Sequence, residues 1–278
     1  MLRLLNIEYQ KLRHNKSARV ITMVYFILIT MIALIASIEF NFGDFKFRVA
    51  DQGIFNFPFI WHFNTWMAAV LKLFLAIVIV SMMANEYSHR TLKQNLIDGL
   101  SKKEFILSKF LTVVAYSLIS TVFIFLVSLI LGLIFSDYTE IGIIFSDLEY
   151  IFAYFLKLVA FFSFCLFLGI LVKRSAFALG FLLIWTIIEN VIYGLLKWEF
   201  FKGTDIAEKV TQFFPLESMQ NLIIEPFTRF GAVQSAASQL GEEFTKDYAV
   251  TPLNMLIASV WAFLFIYWSL QILKRRDL

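Results

Sequence analysis

The sequence predicts an all-α polytopic membrane protein with six transmembrane helices, an amphipathic N-terminal elbow helix and a large extracytoplasmic loop before the last helix. Of its 278 residues, 60% are hydrophobic and 16% are charged, whereas soluble proteins average roughly 45–50% and about 25%. The chain holds 33 Phe, and its mean hydropathy is +0.76. A soluble fold of this length could not bury so much apolar surface. The single cysteine excludes a disulfide scaffold.

Six apolar segments are long enough to cross a bilayer, since a helix needs about 20 residues for this. We treat the whole chain, 1–278, as a single transmembrane domain. The third segment has 31 residues, which is more than a span requires, so we expect it to project into water. The six predicted spans are 20–38, 62–84, 105–135, 150–172, 176–196 and 253–273.

The distribution of charge predicts the orientation of the spans. The loops on the side of the two termini hold fifteen Lys and Arg against five acidic residues, and the other side holds seven against fifteen. Basic loops stay in the cytoplasm. We therefore expect a multi-pass protein of the inner (cytoplasmic) membrane with both termini in the cytoplasm, loop 85–104 on the same side and loop 197–252 outside.

Three segments outside the spans have regular patterns. The N-terminal arm, 1–15, has an apolar stripe and basic flanks, which predicts an interfacial amphipathic helix. Residues 45–49 alternate with period two, which is typical of a short strand. In the large outer loop, apolar residues recur every three or four positions, which predicts an amphipathic helix. These residues are Phe227, Phe230, Val233, Ala237, Leu240 and Phe244.

Catalytic motifs are absent from the sequence. It has no phosphate-binding loop with a Gly-Lys-Ser/Thr core, no C-x-x-C and no H-E-x-x-H. His14, His62 and His89 fall in different segments, so their spacing does not favour a metal site. We expect no cofactor, no metal ion and no nucleic-acid partner. The chain is not expected to be an enzyme, and any ATP hydrolysis should take place in a separate subunit.

The loop 85–104 is the most informative stretch. Its first part should form a short helix that ends near Ile97, before an Asp98-Gly99 turn. Ser101 and Glu104 have the spacing of a capping box for the third span. Leu92 and Leu96, at i and i+4, form an apolar pair between basic residues. Two interpretations remain open, a solvated basic loop or a docking helix for a cytoplasmic partner.

Four groups of residues in this loop carry a resemblance to a known family. They are Asn85-Glu86-Tyr87, Arg90-Thr91, Asp98-Gly99-Leu100-Ser101, and Glu104-Phe105 with Lys109. Together they resemble the segment after the second span of type-2 ABC exporter permeases. Lys102 stands where Arg is usual in that family, and Arg90 stands where Gly is commoner. The motif covers about 25 residues, and the predicted architecture resembles the family over the whole chain.

The resemblance implies a half-transporter in the lipid bilayer. Two permease copies, as a homodimer or a heterodimer, would each dock on a cytoplasmic ABC ATP-binding subunit, and ATP-driven closure of those subunits would rock the spans. Pro215 and Pro226 would mark breaks in the family's re-entrant outer helices. The residues that would couple the permease to the ATPase are Glu86, Arg90, Thr91, Leu92, Leu96, Gly99 and Ser101.

Three charged residues, Lys72, Lys157 and Glu189, lie inside predicted spans. A charge at mid-membrane costs roughly 2.5–3.5 kcal/mol on insertion scales, so such residues are functional candidates. Lys157 and Glu189 share a depth on neighbouring helices, which predicts an ion pair. Lys72 is too deep to reach the surface, and we expect it to face a dimer interface or a wet cavity.

Two other functions compete with the exporter. A secondary active transporter could use Lys72, Lys157 and Glu189 as a proton or ion relay, although the six spans have no inverted repeat. An intramembrane enzyme would need paired histidines or clustered acids, and the spans lack both. The substrate is not encoded in the composition, because Phe-rich spans suit a lipid, a peptide or a drug equally.

Overall fold

The computed structural model describes residues 2–42, 45–47, 53–230, 233–234, 238 and 246–276. Helices dominate it, and a π turn (Leu196–Phe200) and a 3-10 turn (Phe227–Arg229) lie near the end of the chain. The helices and strands are α1 (Leu2–His14), α2 (Lys16–Ser37), β1 (Phe40–Phe42), β2 (Phe45–Phe47), α3 (Phe59–Val70), α4 (Lys72–Ser88), α5 (Thr91–Ile97), α6 (Lys102–Phe135), α7 (Ile141–Ile144), α8 (Glu149–Val172), α9 (Ser175–Leu195), α10 (Ile206–Thr211), α11 (Pro215–Gln220) and α12 (Pro252–Arg275).

Side-chain caps define the starts of three long helices. The Asn15 side chain accepts from Ala18 N at the start of α2, and Thr251 does the same for Asn254 N at the start of α12. At α6, Glu104 N donates to Ser101 Oγ, and Ser101 N donates to Glu104 Oε2. The predicted capping box is therefore confirmed, and it satisfies amides that the first helical turn leaves free.

The long apolar helices agree with the predicted spans. Helices α2, α6, α8, α9 and α12 are each long and apolar enough to cross a membrane. The pair α3 and α4 is bent by 45° and completes a set of up to six spans if it counts as one. The predicted span 62–84 corresponds to this bent pair, in which the helix breaks at Leu71. There Leu71 N bonds to Ala68 O at 3.1 Å, which tightens the turn.

Helix α8 lies at the centre of the bundle and α9 at its edge. Most residues of α8 are buried, and it packs against α3, α4, α6, α9 and α12. By contrast, α9 buries Ala178, Leu182 and Glu189 alone among its residues. Because Lys173 turns the chain with a φ of 64°, α9 runs back beside α8 as the predicted hairpin.

A triangle of hydroxyl groups joins three spans inside the apolar bundle. Tyr25 Oη lies 2.6 Å from Ser120 Oγ and 2.6 Å from Tyr154 Oη, and the last two are 2.8 Å apart. These residues belong to α2, α6 and α8. Interhelical hydrogen bonds of this kind contribute roughly 0.6–1.7 kcal/mol each in membrane bundles.

The two ends of the bundle differ in charge. The end that carries α1, α5 and the Lys173–Arg174 turn also holds the end of α12, and we call it the basic end. There Arg276 donates to Ile170 O at 2.6 Å and to Leu171 O at 3.0 Å. A cation at these last carbonyls complements the C-terminal dipole of α8.

The opposite end carries the connecting segments. Strands β1 and β2 pair antiparallel, which confirms the strand expected over 45–49 as far as Phe47; residues 48–49 lie outside the described residues. Of the predicted helix in the large loop, Phe227 begins a 3-10 turn, whereas Ala237, Leu240 and Phe244 lie outside the described residues. Helix α10 ends at Thr211 and α11 begins at Pro215, so the chain breaks before that proline as expected.

We expect Gly132→Ala to lower the thermal unfolding midpoint of the purified protein. A Cβ at Gly132 of α6 would lie 2.6 Å from Cε2 and 2.8 Å from Cε1 of the buried Phe57 ring. Overpacking of this kind costs about 1–3 kcal/mol. Gly142→Ala is the matched control, because nothing lies within 4 Å of its added Cβ. Equal midpoints for the two variants would show that the Phe57 ring moves aside freely.

Candidate functional site

Four charged side chains meet at the basic end, and we call them the ionic cluster: Glu8, Lys11, Glu86 and Lys109. Lys109 Nζ lies 2.7 Å from Glu8 Oε2 and 2.5 Å from Glu86 Oε1. Lys11 Nζ lies 2.7 Å from the same Glu86 oxygen. The Lys109 side chain is fully buried, and both carboxylates are 3% exposed. Two cations and two anions thus neutralise each other, and three of the four side chains are shielded from water, with Lys11 partly exposed.

Helix α5 joins the ionic cluster through hydrogen bonds. Thr91 Oγ1 donates to Glu86 Oε2 at 2.6 Å, and Asn95 Nδ2 donates to the same oxygen at 3.4 Å. Glu8 and Lys11 come from α1, Glu86 from α4 and Lys109 from α6. The cluster therefore connects α1, α4, α5 and α6, and Glu86 is the residue that contacts the other three helices.

Sequence reasoning found only part of this cluster. Glu86 and its partner Thr91 are predicted coupling residues and Lys109 belongs to the family motif, whereas Glu8 and Lys11 carry no prediction beyond the N-terminal arm. The available signal was the position of Glu8 on α1. Glu8 and Leu12 are four residues apart on the helix and so share one face. Because Leu12 is buried, Glu8 faces the bundle as well.

The short helix α5 is fixed at both ends by unusual backbone conformations. Arg90 precedes it with a φ of 55°, a left-handed conformation that favours glycine. At its other end, Leu100 N bonds to Asn95 O and Gly99 N bonds to Leu96 O, which is a Schellman motif. Gly99 has a φ of +96° there. Gly99 and Arg90 thus define the direction of α5.

The apolar pair of α5 is placed differently from the prediction. Leu92 is 1% exposed and Leu96 packs against the core, so this pair holds α5 to the bundle. The prediction that this pair forms a free docking surface is therefore wrong. Arg90, Lys93 and Ile97 lie on the exposed side, and Ile97 is 69% exposed. Ser101 is engaged in the cap of α6.

The predicted ion pair between Lys157 and Glu189 is wrong. Glu189 accepts from Leu216 N at 3.1 Å, from Glu217 N at 3.0 Å and from the indole of Trp185 at 2.5 Å. Lys157 Nζ donates to two carbonyl oxygens, of Gln220 at 3.3 Å and of Ile223 at 3.4 Å.

The two charges thus hold opposite ends of the same short helix. Glu189 binds the first amides of α11, and Lys157 binds carbonyls at and beyond its last residue. Both charges match the helix dipole, negative at the N-terminus and positive at the C-terminus. They interact with α11 rather than with each other, since no hydrogen bond or ion pair joins them among the described residues.

Lys72 has a different environment from the other two intramembrane charges. It is the first residue of α4, directly after the break at Leu71. Its Nζ lies 4.8 Å from the centre of the Phe161 ring, a cation–π contact. Within the described part of the chain it has no hydrogen bond and no ion pair, and it lines two adjoining cavities.

A family model described as ABC-2 family transporter protein matches residues 4–189, which include the ionic cluster, α5 and all three intramembrane charges. No curated protein matches the sequence.

We expect Lys109→Met to destabilise the protein much more than Lys11→Met. The first change leaves two buried carboxylates without their shared cation, a situation that typically costs about 3–5 kcal/mol. Lys11 is 34% exposed, so water can replace part of its contact. Thermal unfolding in detergent measures both effects. Adding Glu8→Gln to Lys109→Met should recover part of the loss, and a further loss would contradict the assigned pairing.

We expect Lys157→Met and Glu189→Met each to lower the unfolding midpoint, with no recovery in the double variant. Each change removes hydrogen bonds from a different end of α11, at roughly 1–3 kcal/mol per group left unpaired. Asn190→Met is the control, because Asn190 is exposed and bonds only within its own helix. A double variant more stable than either single variant would show that Lys157 and Glu189 pair directly.

Proposed function

The chain belongs to the ABC-2 transporter family, a family of multi-pass membrane transport subunits, and we propose that it is the permease subunit of an ATP-driven exporter. In this proposal a separate cytoplasmic subunit hydrolyses ATP, and two permease copies form the translocation path. The observation that carries the proposal is the ionic cluster, because it connects the exposed helix α5 to two spans and to α1.

The proposed coupling contact is the outer face of α5. Arg90, Lys93 and Ile97 present one apolar and two basic groups there, next to a surface cavity of about 490 Å³ between α1 and α5. Arg3 and Asp98 lie on the wall of this cavity. A partner with an apolar groove and acidic rim would fit this face, since buried apolar contacts supply affinity and rim charges supply orientation.

The proposed mechanism uses the ionic cluster as a rigid connection. When the ATP-binding subunits close, they displace α5. The displacement passes through Thr91 to Glu86 of α4, and through Lys109 to α6. Breaking this cluster would strand charges away from water, so the four helices move together instead of sliding past one another. The spans then tilt as a unit.

The proposed position in the membrane follows the charge asymmetry of the sequence. The basic end faces the cytoplasm with both termini, α1 lies at the interface as an elbow helix, and the segment 197–252 is outside. The second permease copy packs against α9. The exposed apolar face of α9 includes Phe177, Leu183, Ile184, Ile187 and Val191.

A single substitution on α5 tests this proposal. Ile97→Asp should lower the amount of ATP-binding subunit that co-purifies with the chain by about tenfold, because the contact would bury an unpaired carboxylate. ATP turnover by the co-expressed complex should fall in parallel, and the chain alone should show none. Since α5 keeps Leu92 and Leu96, the unfolding midpoint should change little.

Ile141→Asp is the matched control, because Ile141 is 76% exposed on α7 at the opposite end. It should leave both co-purification and ATP turnover unchanged. Normal co-purification of the Ile97→Asp variant would place the docking surface elsewhere. Steady ATP turnover by the chain alone would overturn the division of labour between subunits.

A further inference from the structure

We propose that Lys72 recognises the anionic group of an amphipathic substrate, whose apolar part lies beside it between α4 and α9. This inference rests on the proposed transport function and adds the chemical class of the substrate. It depends on three features around Lys72. Its ammonium group has no counter-ion among the described residues. A cavity lined by charged and amide side chains, which we call the polar cavity, lies on one side, and a cavity lined mainly by aliphatic and aromatic side chains, which we call the apolar cavity, lies on the other.

The ammonium group of Lys72 lacks the partners that buried charges normally have. No carboxylate lies within ion-pairing distance of its Nζ among the described residues, and its recorded contact is the ring of Phe161 at 4.8 Å. A bare charge at this depth is costly, and such charges mark substrate and ion pathways. Lys72 is half-buried, whereas the buried lysines Lys109 and Lys157 bind oxygen atoms. Lys72 is therefore set apart by having its donors available.

The polar cavity lies between α3, α8 and the segment after α11, and has a volume of about 360 Å³. Lys157 also lies on its wall, with its Nζ bound to the carbonyl oxygens of Gln220 and Ile223. A phosphate, sulfate or carboxylate there would accept hydrogen bonds from Lys72 and from the amide of Asn221 or Gln220. The residues around it include Trp66, Lys72, Lys157, Gln220, Asn221 and Glu225.

Glu225 on the same wall does not cancel this positive charge. Its Oε1 accepts from Lys246 Nζ at 2.6 Å and from Thr228 Oγ1 at 2.9 Å, and its Oε2 accepts from Phe227 N at 2.9 Å. The carboxylate is thus already neutralised by Lys246. Glu225 is therefore engaged elsewhere, and the ammonium of Lys72 stays available to an anionic ligand.

The apolar cavity begins at the same lysine and runs between α4 and α9, with a volume of about 210 Å³. Besides Lys72, Thr186 and Gln220 contribute polar groups to its wall. Phe161, Leu182, Leu183, Leu216 and Met219 are among its apolar residues. An alkyl chain would lie here while its head remains at Lys72. A ligand with two chemically different ends therefore fits better than a uniformly polar or uniformly apolar one.

Binding of two matched probes tests the inference without any ATP-binding subunit. The purified full chain is placed in nanodiscs of phosphatidylcholine and titrated with 2-bromoundecanoate or with (2-bromoundecyl)trimethylammonium, which carry bromine beside the charged head. Bromine quenches tryptophan fluorescence at short range, and Trp66 lies on the wall of the polar cavity. We expect saturable quenching by the anion and weaker quenching by the cation. The saturable part should vanish in Trp66→Phe.

Variants at Lys72 decide the role of its charge. Lys72→Met should weaken anion binding by about tenfold or more, as expected for a lost charge-assisted hydrogen bond. Lys72→Arg should keep the affinity for the anion, and Lys72→Glu should reverse the preference toward the cation. If one of the three variants does not fold, the other two still test the role of the charge. Lys202→Met is the matched control, because Lys202 is an exposed lysine. Unchanged affinity in Lys72→Met, or equal binding of both probes, would overturn the inference.

The same assay separates two sources of the anion. In nanodiscs that contain phosphatidylglycerol, a membrane lipid as the natural ligand would displace the anionic probe. A free amphiphile would leave probe binding intact. Either result supports an anionic head at Lys72. Because no ATPase takes part, loss of anion binding with normal partner co-purification would reject this inference and leave the proposed transport function standing.

Discussion

The buried ammonium of Lys109 imposes the strongest constraint on the basic end of the molecule. A cation shielded from water must be surrounded by anions, and here those anions come from α1 and α4. This requirement places α1 against the spans and fixes the angle at which α4 leaves the bundle. Helix α5 then follows, because Thr91 and Asn95 complete the hydrogen bonds of Glu86.

The opposite end solves the same problem with backbone groups instead of side chains. Helix α11 is too short to be stable alone, and two charges from α8 and α9 satisfy its free amides and carbonyls. Unpaired backbone groups at a helix end are costly in an apolar environment. Hydrogen bonds from the two charges remove that cost, and this offsets the free energy needed to bury the charges. These hydrogen bonds from Lys157 and Glu189 hold the segment between α9 and α12 in place.

Much of the fold could be predicted because it depends on local or compositional signals. The six apolar segments, the Ser101–Glu104 capping box and the turn at Gly99 follow from hydropathy and short-range spacing.

The partners of charged residues could not be predicted in this way. Glu8 and Lys109 are 101 positions apart, and depth in the membrane suggested Glu189 for Lys157 although backbone groups were the true partners. Leu92 was misplaced for a related reason, since an apolar pair on a short helix fits a core and a docking surface equally. The break at Leu71 has no proline or glycine to announce it.

That break divides the second span into two rods with a joint between them. The rod nearer the basic end is anchored through Glu86, and the other is anchored through His62, which bonds to Ile224 O at 2.8 Å. Across the joint the regular helical hydrogen bonds are interrupted, so the two rods can rotate separately. Lys72 lies directly after this joint, so any change of the angle between α3 and α4 would move its side chain relative to α3. The second span is therefore a jointed element and not one rigid helix, and Lys72 lies at its joint.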